Sequence, residues 1–216
     1  MENNLKPKKY DIYVEFLNTV LNEARLKHSL GAMQIMGKLA DVYHLDEQRA
    51  LTAGLLHDAA KDLSPQQWEV VVQKAGIMIT CEQDQDYLHY LHGPVSAELV
   101  KDRLDIEDSL LLEEIASHTF YGDGQYFNHP LTWCLRFSDI LEPNRNWQSV
   151  RWLRDGLSFF RKIAFAGELE LAAFYQTGLL IDWFKGTGKP VHPNMHLVFE
   201  NLSRQLDLSH KDLYHY

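Results

Sequence analysis

Four histidines and two aspartates are distributed along the chain in a set that could hold metal: His28, the adjacent pair His57 and Asp58, His92, His118 and Asp139. Imidazole nitrogen with carboxylate oxygen suits iron, manganese, zinc or nickel, whereas an all-oxygen set would suit magnesium. Thiolate ligation is not part of the pattern, because only Cys81 and Cys134 occur and neither lies in a CxxC pair. Successive helical residues point about 100° apart, so His57 and Asp58 can flank one ion only if other segments complete its sphere. His28 and Asp139 are the natural completers. The second oxygen of Asp58 could bridge to another ion held by His92 and His118. A hydrogen-bonded structural couple is the plain alternative for any single His-Asp pair. His44, His89, His129, His192, His196, His210 and His215 are read in that way, as surface or supporting residues.

Helices must position the set. Apolar residues from Val14 to Ala40 recur at helical spacing with an interruption around Arg25 to Ser29, which predicts two helices with His28 at their junction. Asp46 caps a helix running into His57 and Asp58, and Ser64-Pro65 starts the next. Gly76 to Tyr90 reads as a loop that re-enters a helix at Gly93-Pro94, with His92 just before it. A Leu-rich helix from Asp108 to Ser117 ends in His118 and opens onto the loop Tyr121 to Gly124. Leu131 to Leu141 is helical, carries Asp139 and is stopped by Pro143. Gly186-Thr187-Gly188-Lys189 lacks both phosphate-loop spacing and a preceding strand, so it is a turn. The reading is all-α, with eight or nine helices in one domain over 1–216: a motif core at about 28–145 and a helical extension over 147–208.

Composition narrows the chemistry. With 30 acidic against 21 basic residues and a net charge of −9, the surface should repel a nucleic-acid polymer. A phosphorylated ligand would have to be held locally, and bound cations would supply the charge. The N-terminal MENNLKPKKY carries lysines with no apolar stretch after it, and no run approaches a membrane span. A cytoplasmic protein, neither exported nor inserted in a membrane, is expected.

HSLG at His28, GLLHDAAKDL around His57, LHGP at His92, SHT at His118 and SDILEPNR at Asp139 together resemble the YqeK-type branch of HD-domain hydrolases. The likeness is strong from His28 to Arg145 and weaker to VHPNMHLVFEN at 191–201, where Met195 stands in place of the family's Thr. Phe120-Tyr121-Gly122 also departs from the family's Thr-Gly. The resemblance implies an HD-domain helical bundle with a di-metal centre, usually iron, with manganese, nickel or zinc as alternatives. It further implies symmetrical hydrolysis of diadenosine tetraphosphate to two ADP by a metal-bridged hydroxide. Two ions roughly 3.5–4 Å apart can clamp the attacking and leaving oxygens of such a displacement.

On that reading Asp58, Lys61 and Asp62 are catalytic, while Lys61, Thr119, Asn144 and Arg145 contact the substrate. Lys61 and Arg145 would meet phosphate oxygens, and Asp62 and Glu142 would orient ligands or Lys61. The expected partner is a dinucleoside polyphosphate, and a homodimer is compatible with the sequence. Two rivals remain open at this level: a phosphohydrolase acting on a mononucleotide or signalling nucleotide, and a non-catalytic HD module that binds a nucleotide or a protein.

Overall fold

The computed structural model describes residues 9–122, 127–147 and 151–214, with the side chains of 151–153 left aside. Among these residues ten α-helices form: α1 Lys9–Val20, α2 Glu23–Tyr43, α3 Glu47–Leu56, α4 Pro65–Ala75, α5 His92–Leu104, α6 Ser109–Ser117, α7 Pro130–Leu141, α8 Arg151–Phe165, α9 Leu169–Gly186 and α10 Pro193–Leu206. The all-α reading holds, and the helix count is above the eight or nine expected. Asp123 and Gly124 of the glycine loop, the first eight residues, and His215 and Tyr216 lie outside the described residues.

Local chemistry sets most helix ends. The side chains of Asn22, Asp46, Ser64 and Asp108 accept the backbone N–H three residues on, satisfying donors that have no intrahelical partner. Ser64 and Gln67 complete a reciprocal capping box, with Pro65 at the first turn. The break between α1 and α2 falls at Leu21-Asn22, because Asn22 caps α2 there, so His28 lies in the second turn of α2 rather than at a junction. Gly76 to Tyr90 is not a plain loop either. It contains a 3-10 turn at Glu82–Gln85 and a π-type turn at Tyr87–Leu91, and His92 is the first residue of α5.

α2 is the central element and packs against α3 and α7; α5 pairs with α6, and α9 with α8 and α10. Leu39, Leu55, Leu56, Leu135 and Phe137 are fully buried in one apolar cluster that extends from Tyr13 in α1 to Leu213. Among the described residues, no helix is long and apolar enough to cross a membrane.

Candidate metal centre

The six residues singled out in the sequence converge. His57 and His118 are the C-terminal caps of α3 and α6, His92 starts α5, Asp139 lies in the last turn of α7, and His28 comes in from α2. Each imidazole has its Nδ1 facing an acceptor. His57 Nδ1 donates to Gly54 O (2.9 Å), His118 Nδ1 to Ile115 O (2.6 Å), His92 Nδ1 to Tyr87 O (3.2 Å) and His28 Nδ1 to Glu142 Oε1 (3.2 Å). A neutral ring with its proton on Nδ1 keeps a lone pair on Nε2, and outer hydrogen bonds of this kind orient metal-binding histidines.

The four Nε2 atoms meet the two aspartates. His28 Nε2 is 3.0 Å from Asp139 Oδ1 and 3.3 Å from His57 Nε2, and His57 Nε2 is 3.8 Å from Asp139 Oδ1. Asp58 Oδ1 lies 3.1 Å from His92 Nε2 and 3.8 Å from His57 and His118 Nε2, while Oδ2 is 3.7 Å from His28 Nε2. Two ligands each about 2.1 Å from one ion stand roughly 3.0–3.5 Å apart, so these separations suit shared cations. The donors form two overlapping groups, His28 with His57 and Asp139, and His57 with Asp58 and His118. Asp58 Oδ2 is buried with no hydrogen-bond partner. Such an oxygen is unfavourable unless a cation meets it.

Charge is arranged to match. Burial and the neighbouring Lys61 push His92 down to about 4, and burial with His92 and His57 beside it pushes His118 well below the usual range, so both rings are neutral donors. Burial opposes the charge of Asp58, but Lys61, His57 and His92 outweigh it and keep Asp58 ionised. His28 differs: burial disfavours its charge, yet hydrogen bonds to Asp139 and Glu142 raise it to about 9, so a cation there must displace a proton.

Two motif glycines admit the outer groups. A Cβ on Gly31 would come within 2.4 Å of Glu142 Oε2, so only glycine lets that carboxylate close on His28. A Cβ on Gly93 would stand 2.6 Å from Thr119 Oγ1 and 2.7 Å from Ala116 O, where α5 crosses the end of α6.

The remaining sequence candidates divide. Lys61 lies at the site, its ammonium 2.7 Å from His92 Nε2 and 3.6 Å from Asp58 Oδ1. Arg145 donates to Asp139 Oδ1, and its Nε has no partner. Both line a cavity of about 320 Å³ that opens beside the imidazoles. Thr119 lines it too, but its hydroxyl donates to Tyr90 O (2.6 Å). Asn144 is turned to Glu142 Oε2 and Lys27 O, both at 3.0 Å, and so braces the outer carboxylate. Asp62 accepts from Asn22 N (2.9 Å) and Arg25 Nε (3.3 Å) instead of orienting Lys61 or an imidazole. It holds Arg25, whose Nη1 is 3.9 Å from Asp58 Oδ2.

Arg25 and Arg136 were not singled out by sequence. Buried Arg136 donates to Ser117 O (2.6 Å), His118 O (3.1 Å) and Phe127 O (2.8 Å), and so fixes the carbonyl end of α6 behind His118. A third grouping, Cys81, Asp84 and His192, has another explanation. His192 Nδ1 accepts Asn194 N–H (3.1 Å), which leaves the proton on Nε2 to donate to Asp84 Oδ1 (2.9 Å). That nitrogen is therefore occupied, and the trio ties the start of α10 to the Cys81 turn.

The fold and the converging His-Asp set define the class: this chain belongs to the HD-domain family, whose pattern matches residues 25–153. An HD domain implies a divalent metal. The relatives narrow the comparison further. The chain is 30% identical over 138 residues to a symmetrical bis(5'-nucleosyl)-tetraphosphatase of Halalkalibacterium halodurans, covering 62% of this chain and 69% of that protein. It is 31% identical over 140 residues to the symmetrical bis(5'-nucleosyl)-tetraphosphatase of Staphylococcus aureus, covering 62% and 67% respectively. A solved structure from Clostridium acetobutylicum, described as an HD superfamily hydrolase involved in NAD metabolism, superposes with a TM-score of 0.78 at 28% identity, over 91% of this chain and 97% of that one.

Proposed function

We propose that this chain is a metal-dependent phosphohydrolase that cleaves diadenosine tetraphosphate symmetrically, adding one water to give two ADP. The observation that carries it is the set of four imidazoles, each with Nδ1 tied down and Nε2 turned toward Asp58 or Asp139, two of which, His92 and His118, line a cavity together with Arg25, Lys61 and Arg145. The names of the Halalkalibacterium and Staphylococcus relatives support the substrate.

His28, His57, Asp58 and Asp139 would hold one ion, and His92 and His118 with the other oxygen of Asp58 a second. The imidazole and carboxylate donors suit iron, manganese, nickel or zinc, and the family resemblance points to iron among them. Bound divalent ions lower the pKa of water and neutralise phosphate charge. The chain's own cations do the rest of the positioning. His92 Nε2 has one lone pair, so Lys61 and a metal compete for it, and an anionic phosphate in the cavity is the alternative partner for the ammonium. The unpartnered Nε of Arg145 is a second donor available to phosphate oxygens.

The test is metal analysis of protein purified without chelator, followed by product analysis with diadenosine tetraphosphate. ADP as sole product is expected. ATP plus AMP would refute symmetrical cleavage, and no cleavage by metal-loaded protein would refute the substrate.

A further inference from the structure

The cavity lining combines His92, His118 and Lys61 with the rings of Tyr90, Trp147, Trp183 and Phe184. Tyr90 and Phe184 stack at 5.6 Å, and Trp183 meets Phe184 edge-on at 5.0 Å. Flat apolar walls of this kind suit a planar heterocycle. At about 320 Å³ the cavity is at the small end of the roughly 300–1,000 Å³ range for ligand sites, so it takes one end of a dinucleotide.

Gln176 of α9 lines this cavity and is only 2% exposed, yet its Oε1 has no hydrogen-bond partner. Buried amides are normally paired, and an orphaned one marks a place where a partner belongs. Four other polar side chains in the lining already have theirs. Thr119 Oγ1 donates to Tyr90 O, Tyr90 OH to Pro190 O (2.9 Å), Arg136 to three carbonyls, and His89 Nδ1 to Asp86 (2.8 Å). A glutamine side chain offers an acceptor and a donor side by side, which matches the 6-amino group and adjacent ring nitrogen of adenine.

We infer that Gln176 is the base-reading residue of the site, its carboxamide pairing with the 6-amino edge of an adenine held among the cavity's aromatic rings. The inference rests on the proposed nucleotide function and deepens it. It places base selection on α9, beyond the residues that match the family pattern, so the metal centre and the base reader come from different parts of the chain.

Binding of ADP and of purine riboside 5'-diphosphate, which lacks the 6-amino group, should be compared by calorimetry for the wild-type metal-containing protein and for Gln176→Leu and Gln176→Met. Wild type should prefer ADP on the order of tenfold, and both variants should lose that preference while binding the desamino ligand as before. Equal wild-type affinity for the two ligands, tighter binding of GDP than of ADP, or a preference kept in folded Gln176→Met would each overturn the inference. Cleavage of diadenosine tetraphosphate is measured in parallel. Protein that selects ADP but does not cleave refutes the hydrolase reading alone; protein that cleaves without the 6-amino preference refutes Gln176 alone.

Discussion

Asp58 stands between the two halves of the candidate centre: its Oδ1 faces His92 and His118, and its Oδ2, without a hydrogen-bond partner, faces His28. On the proposed assignment Asp58 would be common to both ions, so Asp58→Ala should abolish turnover and strip the metal. Elemental analysis decides it: a variant retaining two metals per chain would remove Asp58 from the bridging role. Lys61 gives the contrasting expectation. Its ammonium uses a lone pair that a metal would need, so Lys61→Met should keep or raise metal content while slowing hydrolysis. Loss of one charge-assisted contact to phosphate, about 1.5–3 kcal/mol, corresponds to roughly ten- to a hundredfold in rate. Wild-type turnover in this variant would show that the ammonium serves the folded protein only.

At the scale of the helix, orientation is supplied by contacts between elements. Glu142 follows α7 yet holds the ring of His28 in α2, and Asn144 braces Glu142. The approach depends on Gly31, one turn beyond His28. Gly31→Ala would place a methyl 2.4 Å from Glu142 Oε2 and force the carboxylate aside. Metal affinity should fall about 10–100-fold, as when an outer-shell partner is lost, with a stability cost of about 1–3 kcal/mol from overpacking. Metal titration alongside urea unfolding separates the two effects, and unchanged affinity would show that Glu142 does not orient His28. Phe120 shows the same dependence on neighbours. It adopts a left-handed backbone (φ 64°) although it is bulky, and Arg136, 4.0 Å over its ring, and Asn194, bonded to its carbonyl at 3.0 Å, hold it there.

For the molecule as a whole, pH acts through a buried acid away from the metal centre. Glu114 of α6 is fully buried, and burial raises it from its ordinary 4.5 to about 7. His129 Nδ1 is 2.6 Å away, but the angle does not make a hydrogen bond, and burial also pushes that imidazole toward its neutral form. A carboxyl raised on folding binds more protons in the native state. Its contribution to stability is complete below about 4.5 and is lost as pH rises through about 7. Glu114→Gln should remove that decline, so chemical denaturation at pH 5 and pH 8 should show a smaller difference for the variant than for wild type. An unchanged difference would mean that Glu114 is ionised throughout.

The sequence alone determined the donor types, their order and the helix ends that carry them, because caps and side-chain bonds to nearby carbonyls are local. Asp46 and Ser64 start helices through contacts three residues away, and His57 and His118 donate to the carbonyl three residues back. The apolar spacing puts His28 at a junction, whereas Asn22, six residues earlier, sets the start of α2. Only the tertiary structure decided that Glu142 orients His28 across 114 positions, that Lys61 meets His92, that Asp62 serves Arg25, and that Arg136 anchors α6. Gln176 belongs with these. In sequence it is one of several polar residues in a largely apolar helix, and only the packing of α9 against the rest of the fold buries its amide at the cavity wall without a partner. Local hydrogen bonds depend on spacing along the chain, whereas the pairing of distant polar groups depends on how apolar faces bury one another.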